Sequence, residues 1–196
     1  MIYKVCFSDY SMRKFVLDTS LFVNPQTRKK FGKDASSAVK GFVKKIKKLD
    51  AEFYMPPLVF KELQNFISEK ALGEFELVVK RKAPNIYAIY LPAALMYDFI
   101  EDMRKRINKG LRLSEQFARD NRPDNDEKLR KLRDKYRDAM RTGIVDSKED
   151  FQLLLLAKEL EATLVTSDEG MIGFANKIGC ETLNAEKMHS LLKKMK

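Results

Sequence analysis

Two cysteines, one histidine and no long apolar run narrow the chemistry of this chain before any motif is considered. Cys6 and Cys180 share no motif spacing, so neither a disulfide framework nor a structural zinc site is supported. The lone histidine, His189, lies near the C-terminus. A zinc centre built on several His or Cys ligands is excluded, and a Ser-His-Asp or Cys-His enzyme would have only that one base to use. No apolar run approaches the roughly 20 residues that span a bilayer. The opening MIYKVCFSDYS lacks the apolar region of a signal peptide. A glycine-rich phosphate loop is missing, which removes support for an ATPase or a dinucleotide enzyme. Internal repeats and low-complexity segments are absent as well. A reduced, cytoplasmic setting with no membrane partner is the expectation.

What is present is charge. The 196 residues are 44% hydrophobic and 34% charged, with a formal net charge of +10 and a pI near 9.5. That length fits one domain, with room for an inserted subdomain. The hydrophobic fraction suffices for a core, and the positive field attracts polyanions, nucleic acid before an anionic membrane surface.

Along the chain, residues 1–11 read as an extension ahead of a fold-bearing sequence that starts at Met12. Lys14 to Leu17 read as a short buried strand ending at Asp18. Residues 34–49 place Ala38, Phe42, Val43, Ile46 and Leu49 at helical spacing with lysines between them, giving an amphipathic helix with a basic outer face. A second strand is expected at 51–55. Pro56-Pro57 then open a helix over roughly 58–70 that carries Glu62. Residues 72–80 read as helix and 85–91 as a strand or extended segment. From 93 to 142 the pattern becomes two long helices broken near Asn121-Arg122-Pro123, an αα-hairpin whose apolar stripe is thin. Residues 97–142 hold 14 Lys/Arg against 10 Asp/Glu, a net charge of +4. An apolar helix follows at 146–161, then a strand at 163–167 ending at Asp168, a helix from Met171 to Ile178, a short strand near 181–183 and a last helix. Strands alternating with helices predict a parallel, doubly wound, three-layer α/β domain. Its two parts are 12–92 and 143–196, with 93–142 inserted as the hairpin.

Two strands end in an aspartate, Asp18 and Asp168, and parallel sheets gather ligand sites at the carboxyl ends of their strands. Asp146 and Asp150 stand four apart at the predicted start of a helix, so they share one face and sit where the helix dipole tolerates negative charge. Singly, each has an ordinary explanation as a cap, a turn residue or a surface charge. Together they form an oxygen-rich constellation suited to Mg²⁺ or Mn²⁺. Such ions activate water and neutralise a phosphate during in-line attack, so a hydrolytic phosphodiesterase needs no histidine. Glu62 is either a fifth acid or a surface glutamate. Thr19, Ser20, Thr166 and Ser167 are expected as cap and turn residues.

The strings Val-Leu-Asp18-Thr-Ser, Met-Pro-Pro-Leu-Val-Phe-Lys-Glu62-Leu and Leu-Val-Thr-Ser-Asp168 resemble a PIN domain. With Asn24-Pro25, Arg-Ile-Asn-Lys-Gly-Leu-Arg at 106–112 and Asp-Ser-Lys-Glu-Asp at 146–150, the chain is similar over residues 12–195 to one subgroup, the small protein-only ribonuclease P of some thermophilic bacteria and many archaea. The resemblance implies a PIN-like, Rossmannoid fold with an inserted hairpin. It implies removal of the 5′ leader from precursor tRNA by a Mg²⁺- or Mn²⁺-dependent endonuclease without an RNA subunit. It assigns the metal to Asp18, Asp146, Asp150 and Asp168. It further implies self-association into a large homo-oligomer through the hairpin, dimers assembling further, with a dodecamer as one size. Arg119 and Arg122, near the hairpin tip, are candidate RNA contacts. Two competing readings stand beside this one: another PIN endoribonuclease, toxin-like or rRNA-processing, and a non-catalytic RNA-binding protein.

Overall fold

The computed structural model describes residues 12–120, 125–141 and 147–195; the expected extension 1–11, the expected helical break with Arg122, and Asp146 lie outside them. In chain order the elements are β1 (Arg13–Leu17), α1 (Ser20–Val23), α2 (Pro25–Arg28), α3 (Ala35–Ile46), β2 (Ala51–Met55), α4 (Pro57–Gln64), α5 (Glu69–Glu76) and β3 (Val79–Arg81). There follow α6 (Ala94–Ala118), α7 (Asn125–Arg141), α8 (Lys148–Leu160), β4 (Thr163–Thr166), α9 (Glu169–Lys177), β5 (Thr182–Asn184) and α10 (Ala185–Lys194).

The five strands form one sheet in the order β3-β2-β1-β4-β5, every pair parallel. The central strand β1 buries Phe15, Val16 and Leu17 in succession. An unbroken apolar run, rather than alternation, is what a strand covered on both faces requires. Phe15 pairs with Phe53 of β2 on one side and Thr163 of β4 on the other, while Leu17 pairs with Val165. The sheet grows from β1 toward β3 through α3 and α5, then resumes on the opposite flank of β1 with β4 and β5. Parallel crossovers are right-handed, so this reversal sends α8 and α9 to the face opposite α3 and α5 and completes the three layers. It also leaves a crevice beyond the carboxyl ends of β1 and β4, where neighbouring connections diverge to opposite faces.

Aromatic rings fill the α3/α5 side. Phe22 meets Phe42 and Phe75 edge-on at 5.3 and 5.4 Å, and Phe15 stacks on Phe53 at 5.4 Å. Such offsets follow the ring quadrupoles and add to the area buried. The start of α3 is fixed by a reciprocal capping box: Ser37 N donates to Asp34 Oδ1 at 2.8 Å, and Asp34 N to Ser37 Oγ at 3.0 Å.

Three expectations are corrected. The helix expected over 58–70 ends at Gln64, and Ser68 caps a new one, α5. Of residues 72–80, expected as helix, those to Glu76 belong to α5, but Val79 and Lys80 open the edge strand β3; only Val79 of its three residues is buried, so it carries no readable period. Residues 85–91, expected as extended, turn instead. Asn85 Oδ1 accepts from Tyr87 N, an Asx turn, and Asn85 N donates to Glu159 Oε2 at 2.6 Å. Tyr87 and Tyr90 stay exposed there.

The two long helices expected beyond residue 93 are α6 and α7, packed on each other. Arg106 of α6 is buried between them. Its Nη1 donates to the Met140 carbonyl at 2.8 Å, and its Nε lies 2.8 Å from Asp102 Oδ2, an ion pair rather than an aligned hydrogen bond. Gly110 permits the close approach, since a Cβ there would stand 2.6 Å from the Tyr136 ring and 2.8 Å from the Met140 methyl.

Candidate active site

Asp18 is the first residue past β1, and its backbone N–H still pairs with Val165 O of β4 at 3.1 Å. Its carboxylate therefore sits at the mouth of the crevice, yet the residue is only 7% exposed. A buried carboxylate needs donors, and three hydroxyls supply them. Ser20 Oγ and Thr166 Oγ1 donate to Asp18 Oδ2 at 2.5 and 2.6 Å, and Thr19 Oγ1 to Oδ1 at 3.3 Å. The two short contacts have the length of charge-assisted bonds. Ser20 and Thr166, expected to cap and turn, are thus the groups that hold Asp18.

Thr166, fully buried, also joins the second acid. Its hydroxyl oxygen accepts from Asp168 N at 3.0 Å while its proton goes to Asp18. Asp168 caps α9, with Oδ1 accepting from Met171 N at 2.9 Å. The two strand-end loops are tied further by Ser167 N donating to Ser20 Oγ at 3.1 Å and by Asn24 Nδ2 donating to Ser167 Oγ at 3.3 Å. Asn24-Pro25 are therefore part of the support: Asn24 caps α2 through its Oδ1 and braces the β4 loop through its amide nitrogen.

Across the crevice, α4 packs against α8. Pro57 opens α4 at the position where a missing N–H has no cost. Glu62, one turn and a half later, has its carboxyl pushed above the usual carboxylate range, first by partial desolvation, then by repulsion from Asp18 and Glu149, with a Thr19 hydrogen bond opposing. Glu62 thus belongs to the electrostatics of the Asp18 crevice although its outer part remains exposed. Glu149 is the acid that the sequence reading passed over. It sits in the first turn of α8, between Lys148 and Asp150, and only the packing of α4 on α8 brings it to Glu62. Asp150 lies in the same turn, half-buried, its N–H taken by the N-cap Ser147 Oγ at 3.0 Å. The helix therefore starts at Lys148, not at the expected residue 146, and Asp146 precedes it outside the described residues.

Among the described residues, no three His, Cys, Asp or Glu side chains come close enough to cage an ion. The donors that line the crevice are all oxygen, and the charges of Asp18 and Glu149 help to raise the Glu62 carboxyl; both features suit a hard divalent cation. Arg119 is the exposed C-cap of α6. His189 is remote from these acids; its ring packs edge-on against Phe31 at 5.3 Å. Cys180 is free and buried, and burial pushes its thiol up. No described helix is long and apolar enough to cross a membrane.

An all-parallel sheet with its acids at the β1/β4 switch point defines a class of α/β proteins before any sequence comparison. Residues 14–196 match the family of PINc domain ribonucleases. The chain is 46% identical over 186 residues to the RNA-free ribonuclease P of Pyrococcus furiosus, covering 92% of this chain and 93% of that one. It is 45% identical over 183 residues to the RNA-free ribonuclease P of Thermodesulfovibrio yellowstonii, covering 92% and 93%, and 40% identical over 192 residues to that of Alkalilimnicola ehrlichii, covering 94% and 98%. This chain belongs to the PIN-domain ribonucleases, within the RNA-free ribonuclease P family. It is an endoribonuclease on that basis, and dependence on divalent metal is typical of its domain.

Proposed function

We propose that this protein removes the 5′ leader of precursor tRNA by Mg²⁺- or Mn²⁺-dependent hydrolysis, without an RNA subunit. The observation that carries the reading is the buried Asp18 carboxylate at the β1/β4 switch point, whose charge helps to raise the Glu62 carboxyl, in a chain so similar to RNA-free ribonucleases P. Asp18, Asp146, Asp150 and Asp168 are the proposed metal ligands, with Glu62 as an additional acid. A bound cation supplies an activated water and neutralises the scissile phosphate. The chain's own part is positional. Thr166 and Ser20 fix the Asp18 carboxylate, and Thr166 and the α9 cap fix the Asp168 backbone.

The remaining assignments belong to the same reading. Residues 12–92 and 143–196 form the PIN domain, with 93–142 inserted. Arg119 and Arg122 contact RNA. The setting is cytoplasmic. Self-association into a large homo-oligomer is supported by an apolar stripe on α6, where Met96, Ile100, Ile107 and Leu111 recur at helical spacing and are each more than half exposed. Incubation with a leader-bearing precursor tRNA and Mg²⁺ tests the activity. A single cut at the mature 5′ end, lost in Asp146→Asn with an unchanged circular-dichroism spectrum, is the expected result. No defined cut, or full turnover by that variant, would refute it.

A further inference from the structure

The excess positive charge of this chain is unevenly placed. Residues 28–48 hold nine Lys/Arg against the single Asp34, a net +8, where the whole chain carries +10. The hairpin is rich in basic residues too, but several of them are neutralised locally, as in Lys105–Glu101, Arg106–Asp102 and Lys131–Glu127. Around the sheet, Lys80, Lys82 and Lys177 are likewise paired with Glu52, Glu159 and Asp98. Among the described residues, Lys44, Lys45 and Lys48 have no such acid.

These three lysines line a groove together with Lys30, Phe31 and Gly41. The groove is built rather than incidental. Gly41 lets the 30–32 turn lie directly on α3, since a Cβ there would stand 2.1 Å from Phe31 O. Phe31 is pinned between Phe42 and His189, at 5.6 and 5.3 Å, and Lys30 Nζ is anchored to Glu186 O of α10 at 2.7 Å. Lys193 stands in the last turn of α10, one turn after His189. The His189 imidazole reports the resulting field: burial first, then Lys45, Lys193 and Lys30, hold its pKa below the ordinary value. Lysines in a last helical turn also complement the helix dipole. That role accounts for Lys44 and Lys45 in α3, but not for Lys48 beyond it or for the convergence of Lys30 from a separate segment.

We propose that this lysine groove on α3 is a second RNA-binding surface, which grips the phosphodiester backbone of the substrate away from the cutting site. The proposal rests on the RNA-cleaving function proposed above. Lys44 and Lys45 occupy the last turn of α3 and Lys48 follows it, just before β2 enters the sheet, whereas the acids stand past the carboxyl ends of β1 and β4. A strand of five residues spans about 17 Å, so a polyanion that touches both surfaces at once must reach at least that far. Lysine stems over an apolar floor, with no amide or planar fork aimed inward, suit sequence-independent contact with phosphates.

The test is the variant Lys44→Gln/Lys45→Gln/Lys48→Gln, with Lys44→Arg/Lys45→Arg/Lys48→Arg beside it. Affinity for a precursor tRNA is measured by fluorescence anisotropy in metal-free buffer across a salt series, and single-turnover cleavage at saturating protein with Mg²⁺. The Gln variant should bind about ten-fold more weakly, its log K against log [salt] slope should shrink by about 2 to 3, and its saturated cleavage rate should match wild type. The Arg variant should bind like wild type. Unchanged affinity and slope in the Gln variant would overturn the groove assignment, as would equal weakening in the Arg variant or a preference for phosphatidylserine vesicles over RNA. A wild-type chain that cleaves while the Gln variant binds normally sinks only this inference. A wild-type chain that neither binds nor cleaves precursor tRNA sinks the underlying function with it.

Discussion

Thr166→Val is the substitution that most directly probes how the crevice is held. The Thr166 hydroxyl has no exposure, donates to Asp18 Oδ2 at 2.6 Å and accepts from Asp168 N at 3.0 Å. Valine matches its volume but deletes both bonds. A hydrogen bond to a charged group contributes about 1.5–3 kcal/mol net, and an amide left unpaired adds to the loss. Asp18 would retain Ser20 and Thr19, so about 2 kcal/mol is expected for the folded chain. At this chain length that corresponds to a Tm lower by about 4–8 °C. If the same bond also orients Asp18 toward the reacting phosphate, about 2 kcal/mol in the barrier slows cleavage about 30-fold. Thermal melts and single-turnover cleavage of precursor tRNA measure the two effects. Thr166→Ser is the control: it keeps the hydroxyl, loses one methyl worth about 1 kcal/mol, and should cleave at close to the wild-type rate. Wild-type behaviour in Thr166→Val, or an equal loss of cleavage in Thr166→Ser, would refute the role given to the hydroxyl.

Other variants separate the remaining elements. The raised Glu62 carboxyl holds its proton more tightly in the folded than in the unfolded chain, so without cation the stability falls as pH rises through that interval. Glu62→Gln should flatten this fall and raise the cation-free Tm at pH 8 by about 1–2 °C, taking roughly 0.5 kcal/mol for a partly solvated repulsion; a lower Tm would contradict the repulsion from Asp18 and Glu149. Arg106→Met strands the Asp102 carboxylate and the Met140 carbonyl and should cost about 2–3 kcal/mol, seen as lost amide-exchange protection in α7. Protection retained there would show that the arginine does not clamp the hairpin. Glu161, the C-cap of α8, has φ of 50° and ψ of 44°, a left-handed conformation that favours glycine. Glu161→Gly should raise stability by about 0.5–1 kcal/mol in a urea titration, and a decrease would mean that the Glu161 side chain contributes there.

Much of the frame was legible because its physics is local. The apolar run at 15–17, the Ala51–Met55 strand and the amphipathic spacing through α3 each announce themselves within a few residues. The edge strand β3 did not, since three residues with one buried side chain carry no periodicity, and its place in the sheet is set by pairing with β2. The aromatic 85–91 segment looked like a strand for the same local reasons and turns instead at Asn85, whose side chain accepts from Tyr87 N.

The candidate site divides in the same way. A strand that ends in an acid is a statement about neighbouring residues, so Asp18 and Asp168 could be placed at the sheet's carboxyl edge from the sequence. Which hydroxyls hold Asp18 could not, because Thr166 lies 148 residues away and meets it only through the β1–β4 pairing. Glu62 stayed undecided, and Glu149 went unnoticed, until α4 was packed against α8 and the two carboxyls were set on one crevice with Asp18. Composition by itself determined that the chain is basic and poor in histidine and cysteine. Tertiary structure decided which acids repel one another, which hydroxyls answer them, and where the unpaired lysines gather, because each of these is a distance between segments that the chain brings together only when the sheet closes around β1.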